Sequence, residues 1–131
     1  MGLIRQLLTD ESPVRQTLLY ANRTMADAMY REPLKRLAEN HPERFELVHV
    51  VSREDHPDAR HRGRIDASLL RRYVPDIDRA LFYVCGPSIP VHEARAARLA
   101  GTTPAPRFLE SMKAMLSSLG VPKERLFTEG W

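Results

Sequence analysis

A single cysteine stands where an apolar segment meets a turn. Residues 81–84 are apolar, Cys85 follows them, and Gly86-Pro87 interrupts the run. This pattern predicts a thiol at the carboxyl end of a buried strand, which is where open α/β sheets bind their ligands. The sequence therefore predicts a site beside Cys85, although a strand cysteine can also serve as a small buried hydrophobic residue.

No other group of residues has the spacing of a known reactive centre. One cysteine excludes an internal disulfide, and no Cys-x-x-Cys or close Cys/His pair offers metal ligands, so we predict no metal site. His41, His49 and His92 lack a serine or carboxylate at an interpretable spacing, and we assign them no catalytic role. Hydrolysis by a Ser-His-Asp triad or by paired carboxylates is not indicated.

The composition is typical of one ordinary globular domain. The chain has 131 residues, 43% hydrophobic and 28% charged, with a net charge of +3. No apolar run approaches the roughly 18 residues that a membrane helix needs, and the first residues lack the apolar stretch of a secretion signal. We expect a cytoplasmic protein without membrane association. The basic residues form no stripe interleaved with aromatics, so nucleic acid is not an expected partner.

Hydrophobic periodicity predicts the elements that must position a site. Helical spacing predicts helices over 2–9, 25–38, 66–73, 88–99 and 108–119. Apolar and β-branched runs predict strands at 17–20, 45–51, 80–85 and 125–128, with turns at 10–13 and 52–64. Pro33 should kink or divide the second helix, Asp66 should cap the third, and Gly120 should end the last. This alternation predicts an α/β fold, a three-layer parallel sheet with helices on both faces.

Five short motifs follow one another along nearly the whole chain. They are Leu19-Tyr20-Ala21-Asn22-Arg23 followed by Asp27 and Tyr30, Val51-Ser52-Arg53-Glu54, Tyr83-Val84-Cys85-Gly86-Pro87, Leu119-Gly120-Val121-Pro122 and Glu129-Gly130-Trp131. In order and spacing they resemble the nicotinamide-binding half of the ferredoxin-NADP reductase family. The resemblance implies an NAD(P)-binding oxidoreductase domain that passes a hydride between NAD(P)H and FAD or FMN. The flavin would be held by a β-barrel domain or subunit that has no counterpart in this sequence.

The resemblance also assigns the residues at the nicotinamide end. Cys85 would lie beside the reactive carbon of the nicotinamide ring, and Gly86 and Pro87 would form the turn under it, with Ser88 as a polar contact. Hydride transfer needs close alignment of two rings, which a small side chain permits.

The chain terminus supplies two further catalytic candidates by resemblance. Glu129 would sit near the reacting groups and Trp131 would cover the flavin ring, where the family often has tyrosine or phenylalanine. A flat aromatic ring is suited to stacking on a conjugated ring. The alternative is a frayed terminus with the tryptophan tucked onto the core.

The resemblance also implies a phosphate site, at the end of the strand predicted at 45–51. Ser52 and Arg53 resemble the pair that grips the adenosine 2′-phosphate in NADP-using relatives, because a dianion calls for a hydroxyl donor and a guanidinium. Arg62 could supply a second cation. Acids at such a strand end favour NAD instead, and Glu54 and Asp55 follow Arg53. We favour NADP over NAD, and a solvated loop with compensating charges stays open as the alternative.

The first strand of this domain type has no match in the sequence. In the family a central strand and a glycine-rich turn receive the pyrophosphate at a helix N-terminus, whereas this chain starts inside that helix, so we expect a partial domain. Tyr20, Asn22 and Arg23 would line the cofactor's path at the end of the next strand. Without the central strand, the strands at 17–20 and 80–85 should pair directly, or a homodimer should fill the gap, or the chain should be poorly stable.

Two other functions are compatible with the sequence. The chain could be a non-catalytic remnant of this domain that has lost cofactor binding with the glycine-rich turn. It could also be a small basic protein that binds polyanions through the arginines of residues 53–64. In the main hypothesis, we expect little reductase activity from the chain alone.

Overall fold

The chain forms two compact units in a computed structural model that describes residues 2–9 and 14–131. The units are Met1–Leu69 and Leu70–Trp131, called the first and second unit below. The fold is mixed α/β as predicted, and in the described residues the strand pairings are parallel. The turn expected at 10–13 lies outside the described residues. The expectation of a single domain stays a prediction.

The first unit contains a parallel sheet in the order β1-β2-β3. The strands are β1 (Gln16–Asn22), β2 (Phe45–Val51) and β3 (His61–Arg62), and the helices are α1 (Gly2–Thr9), a 3-10 turn (Met25–Asp27), α2 (Arg31–Asn40) and the first part of α3 (Ala67–Tyr73). Strand β1 pairs with β2 along its whole length, which sets Asn22 beside Val51 at the carboxyl end. The predicted strands at 17–20 and 45–51 are confirmed, and the first is longer than predicted.

A hydrophobic cluster joins the helices of the first unit to its sheet. Leu8 of α1, Leu34 of α2 and Phe45 of β2 are buried together, with Leu18 and Leu47 packed against them. Val48 and Val50 are fully buried as well, as expected for a strand covered on both faces. This packing stabilises β2, whose carboxyl end carries the predicted phosphate site.

The helical segment after β1 is divided, but not where the proline predicted. The break lies at residues 28–30, and Tyr30 at its end adopts a left-handed conformation with φ 58°. Pro33 sits inside the first turn of α2, where the first helical bond runs from Leu34 N to Tyr30 O at 2.9 Å. A proline is tolerated there because an amide in the first turn has no helical partner to lose. The predicted break at Pro33 is therefore wrong in position.

Helix α3 begins at the predicted cap. Asp66 Oδ1 accepts a hydrogen bond from Leu69 N at 2.8 Å, a contact that typically contributes about 1 kcal/mol. Strand β3, within the segment predicted as a turn, was not predicted; its two residues pair with Val50 and Val51. It extends the sheet at the carboxyl end of β2.

The second unit is built on the parallel pair β4 (Phe82–Gly86) and β5 (Leu126–Gly130). Its helices are the rest of α3, α4 (Val91–Ala100), α5 (Phe108–Ser118) and a 3-10 turn (Lys123–Arg125). Helix α5 packs on β4, and its Leu109, Met112 and Leu116 are buried. The predicted helices and strands of this region are confirmed, with shifted ends.

The end of α5 forms the glycine cap that the sequence predicted. Gly120 has φ 87°. Val121 N donates to Leu116 O at 3.0 Å and Gly120 N to Ser117 O at 3.0 Å, the paired bonds of a Schellman motif. Val121 and Leu116 are both buried, which completes the motif.

Strands β1 and β4 belong to different sheets of the described structure. Direct pairing between the strands at 17–20 and 80–85 was one expected consequence of a missing central strand, and it is wrong. Each strand bonds its own neighbour instead, β1 with β2 and β4 with β5. Across residues 2–9 and 14–131, no helix combines the length and apolar character needed to cross a bilayer.

Candidate functional site

The carboxyl ends of β1 and β2 are joined by backbone hydrogen bonds. Ser52 N donates to Asn22 O at 3.2 Å, and Arg53 N donates to Arg23 O at 2.9 Å. The two loops therefore continue the parallel pairing beyond the strands. Four predicted cofactor residues, Asn22, Arg23, Ser52 and Arg53, come together at this end of the sheet.

The side chains at this end include donors suited to an anionic or hydroxylated ligand. Arg23, Ser52 and Arg53 are exposed. Asn22 Nδ2 is buried and has no hydrogen-bond partner within the described residues. A buried amide donor without an acceptor is costly, and a ligand oxygen would satisfy it. A hydroxyl, an amide and guanidinium groups together fit the ribose and phosphate oxygens of a nucleotide.

Glu54 holds the two loops in this arrangement. Its Oε1 accepts a hydrogen bond from Met25 N at 2.6 Å, and the contact is partly buried. The bond caps the 3-10 turn after β1 with a carboxylate from the loop after β2. From the sequence, Glu54 is interpreted as an acid that would bind the ribose hydroxyls of NAD. The sequence does not predict the hydrogen bond from Met25 N.

Arg62 reaches the same end of the sheet through β3. It pairs in register with Val51, and Gly63 N donates to Val51 O at 2.7 Å. The Arg62 side chain is paired with Asp55, with Nη1 3.4 Å from Oδ1 and 3.3 Å from Oδ2. The predicted second cation is thus near Ser52 and Arg53, with an acid beside it.

Tyr20 has a packing contact and a hydrogen bond of its own. Its hydroxyl accepts a bond from Met29 N at 3.1 Å. Its ring stacks on that of His49, with centroids 6.0 Å apart. Burial, and then the Arg31 charge, lower the pKa of His49 below its ordinary value. These contacts hold the Tyr20 ring against β2, and Asn22 lies two residues further on along the same face of β1.

A second cluster lies at the carboxyl ends of β4 and β5. In register, Cys85 is beside Glu129 and Gly86 is beside Gly130. Trp131 N donates to Gly86 O at 3.3 Å, and Ser88 N donates to Trp131 O at 2.9 Å. The chain terminus is therefore tied to the loop after β4, and the predicted nicotinamide-end residues are brought together with Glu129 and Trp131.

Glycine is required here by packing inside the second unit. A Cβ at Gly86 would lie 2.8 Å from Phe108 Cε1, and one at Gly130 would lie 2.7 Å from Ser88 Oγ. Pro87 contributes its carbonyl, which accepts a bond from Leu109 N at 3.0 Å. Gly86 is buried, so its lack of a side chain is explained by Phe108 without a ligand.

The face that carries Cys85 is open. Cys85 is exposed, so the alternative interpretation of a buried strand hydrophobe is wrong. Two residues before it, Tyr83 stacks on Phe127 with centroids 4.8 Å apart, and these rings are 55% and 44% exposed. Trp131 is 73% exposed, so it is not tucked onto the core. Alternate residues of a strand share a face, which gives this surface two stacked rings, a thiol and a carboxylate.

Glu110 positions the loop that follows Cys85. Its Oε1 accepts a bond from Ile89 N at 2.7 Å, and its Oε2 accepts one from Arg107 N at 3.1 Å. The Ile89 hydrogen bond is the main cause that lowers the pKa of Glu110. The sequence analysis missed this residue, although its place in the first turn of α5 was a visible signal for a capping carboxylate.

Comparisons with known proteins agree on one type of domain. Residues 1–95 match the family described as oxidoreductase NAD-binding domain. The chain is 34% identical over 76 residues to the NADH nitrate reductase of Lotus tetragonolobus, covering 58% of this chain and 47% of that protein. It is 36% identical over 92 residues to NADH-cytochrome b5 reductase 1 of Bos taurus, covering 66% and 29%.

A solved structure shares the fold. The flavohem-like FAD/NAD-binding domain of nitric oxide dioxygenase from Vibrio cholerae O1 biovar El Tor matches with a TM-score of 0.70 and 20% identity, covering 98% of this chain and 44% of that one. The chain therefore spans less than half the length of these relatives.

Proposed function

Since the chain belongs to the oxidoreductase NAD-binding domain family, we propose that it is the pyridine-nucleotide module of a flavin-dependent electron-transfer oxidoreductase. Its partner is a flavin-binding barrel, as a further domain or as a separate subunit. The observation that carries the proposal is the buried Asn22 Nδ2, which has no hydrogen-bond partner among the described residues and lies at the strand end that also carries Ser52 and Arg53. NAD(P)H supplies a hydride when bound, and FAD or FMN accepts it.

The nucleotide end of the cofactor is assigned to the first unit. Asn22 Nδ2 donates to a ribose or phosphate oxygen, and Arg23 contributes positive charge. Ser52 and Arg53 supply a hydroxyl and a guanidinium to the 2′-phosphate of NADP. Tyr20, on the same face of β1 as Asn22 and fixed by its contacts with Met29 and His49, lines the path of the cofactor.

The nicotinamide end is assigned to the second unit. Cys85 presents a small exposed group beside Glu129, which lets two rings approach each other closely. The Gly86-Pro87 turn and Ser88 border this group and are held by α5. Trp131 offers an exposed flat ring for stacking on the flavin.

We favour NADP because of what the neighbouring acids contact. Glu54 is bonded to a backbone amide and Asp55 to an arginine, so neither matches the free acid that holds the ribose hydroxyls in NAD sites. The nitrate reductase and the cytochrome b5 reductase to which the chain is similar are named as NADH enzymes. The choice between NADP and NAD therefore needs an experiment. A role in binding polyanions is less well supported, because Arg60 and Arg62 are each paired with an acid.

Calorimetric titration of the chain with NADPH and NADH tests the nucleotide assignment. Arg53→Ala should weaken NADPH binding about tenfold and leave NADH binding nearly unchanged, since a charge-assisted bond to phosphate contributes on the order of 1.5 kcal/mol. Arg15→Ala, which removes the same charge at the amino end of β1, is the control and should change neither. Equal losses for the two nucleotides would contradict a 2′-phosphate site, and absence of binding would favour the non-catalytic remnant.

The flavin partner and the assembly need separate measurements. The chain alone should carry no flavin and reduce no dye with NADPH; yellow protein with dye reduction would contradict the assignment of the flavin to another domain or subunit. A homodimer is included in the proposal, and sedimentation velocity tests it. A cytoplasmic location is likewise proposed, and fractionation of cells that produce the protein tests it.

A further inference from the structure

The two acids that follow Arg53 have different environments. Glu54 is partly buried and accepts the 2.6 Å bond from Met25 N, so its carboxylate is part of the loop framework. The Asp55 side chain is 83% exposed and contacts Arg62. Asp55 is therefore the acid whose charge acts on the open surface of this site.

The backbone pairing of β3 places Arg62 near the site, and the Asp55 carboxylate partly neutralises the charge of its guanidinium. Pairing of β3 with β2 sets Arg62 next to Val51, two residues before Arg53. The Arg62 side chain is 59% exposed, and its separations from the Asp55 oxygens are 3.3 and 3.4 Å. An exposed pair at these distances is weak and opens easily. A stronger anion could take Arg62 from Asp55.

We infer that Asp55 is a specificity-determining residue that competes with the nucleotide 2′-phosphate for Arg62. The inference rests on the proposed function. A 2′-phosphate must displace Asp55 before Arg62 can bind it, whereas a ribose with a free 2′-hydroxyl does not need Arg62. Arg23, Arg53 and Arg62 are the cations that follow or pair with the carboxyl ends of β1 and β2, and Asp55 contacts Arg62, so removal of Asp55 raises the local positive charge. Asp55 thus limits the preference for NADP that Ser52 and Arg53 create.

Binding of 2′,5′-ADP and 5′-AMP isolates this effect, because these probes differ in the 2′-phosphate and lack the nicotinamide end. Asp55→Asn should tighten 2′,5′-ADP about threefold and leave 5′-AMP unchanged, an effect within the range of exposed ion pairs. Arg62→Ala should have little effect in the wild type and should abolish the gain in Asp55→Asn. The gain should also shrink as salt rises.

A matched control separates a local effect from a change in total charge. Glu43 is exposed and precedes β2 at the opposite end of the sheet, so Glu43→Gln removes the same charge about 20 Å away along the strand. Equal tightening by Glu43→Gln and Asp55→Asn would overturn the inference. So would an unchanged 2′,5′-ADP affinity in Asp55→Asn, or weaker 5′-AMP binding, which would make Asp55 a ribose ligand.

Failure of the proposed function has a different signature. If neither probe binds the wild type or Asp55→Asn, the nucleotide site and this inference both fall. If both probes bind and Asp55→Asn changes nothing, the nucleotide site stands and the role of Asp55 is overturned. Calorimetry distinguishes these results. It is done on the wild type, the three single variants of Asp55, Arg62 and Glu43, and the double variant of Asp55 and Arg62.

Discussion

The carboxyl ends of the two sheets are held in the same way and expose different chemistry. At the end of β2, Glu54 accepts a bond from Met25 N at 2.6 Å; at the end of β4, Glu110 accepts one from Ile89 N at 2.7 Å. In both, a carboxylate from another segment fixes the backbone of a loop. The first end then exposes arginines, and the second exposes a thiol, a carboxylate and aromatic rings.

The difference lies in the chemistry that the side chains of each strand end present. Charged, solvated side chains recognise phosphate and discriminate by charge. At the second end the loop backbone is close-packed, and Phe108 leaves no room for a side chain at Gly86. At both ends a carboxylate fixes the backbone of the loop.

Adding one methyl group to the second end should have the largest effect. In Gly86→Ala the new Cβ would lie 2.8 Å from Phe108 Cε1 and closer still to Cδ1. Such overpacking should lower the free energy of unfolding by about 1–3 kcal/mol. Urea unfolding followed by circular dichroism measures it. Gly2→Ala, with nothing within 4 Å of the added atom, is the control; an unfolding midpoint equal to wild type for Gly86→Ala would refute close packing at this end.

Removing the Glu54 carboxylate, which holds the loops at the end of β2, should lower the free energy of unfolding by less. Glu54→Ala leaves Met25 N without its acceptor, and we expect a loss of about 1.5 kcal/mol in the free energy of unfolding. Glu54→Gln keeps an oxygen at that place and should lose about half as much. Urea titrations of both variants measure the difference. Wild-type stability in both would mean that the two ends are not held alike.

Acid should destabilise the two ends in different pH ranges. Burial and the Arg31 charge hold the pKa of His49 below its ordinary 6.5, so the unfolded chain takes up a proton that the folded chain resists. Stability is therefore lost as the pH falls below about 6.5 and on through the lowered pKa. His49→Gln should flatten the dependence of the melting temperature on pH in that range.

At the second strand end, the melting temperature should depend on the Glu110 carboxyl only at lower pH. The Ile89 hydrogen bond holds the pKa of Glu110 below its ordinary 4.5, so the contribution of this carboxylate is complete above that value. It is lost as the pH falls further, through the lowered pKa. Glu110→Gln should leave the profile of the melting temperature unchanged above about pH 5 and flatten it below. Coinciding ranges for the two variants would contradict the assignment.

The smallest effect is expected at the thiol. Cys85 is exposed, so Cys85→Ala should change the free energy of unfolding by less than about 0.5 kcal/mol. Differential scanning calorimetry measures it, with Val84→Ala, at the buried neighbouring position, as the comparison that should lose more. A large loss from Cys85→Ala would mean that the thiol supports the fold.

Sequence reasoning succeeded where local patterns determine structure. Helix α5 and its Gly120 cap were predictable because the apolar spacing, the glycine and its bonds lie within a few residues. It failed where distant contacts decide. Two-residue β3 exists through its pairing with Val51, and the left-handed Tyr30 is a conformation that its residue type rarely adopts.

The site residues stay a prediction, and the contacts that hold their loops were missed. Most of the motif residues gather at two strand ends, because parallel strands end at the same edge of a sheet. Glu54 and Glu110 bond to amides 29 and 21 residues away in sequence. No periodicity or motif encodes such a distance, so only the folded chain reveals these contacts.

The exposed ring of Trp131 is an intrinsic optical label for the second strand end. The sequence contains one tryptophan, and its backbone is tied to Gly86 and Ser88. Tryptophan fluorescence therefore reports from a single known place in the chain. A flat conjugated molecule that settles on this strand end should quench the emission directly.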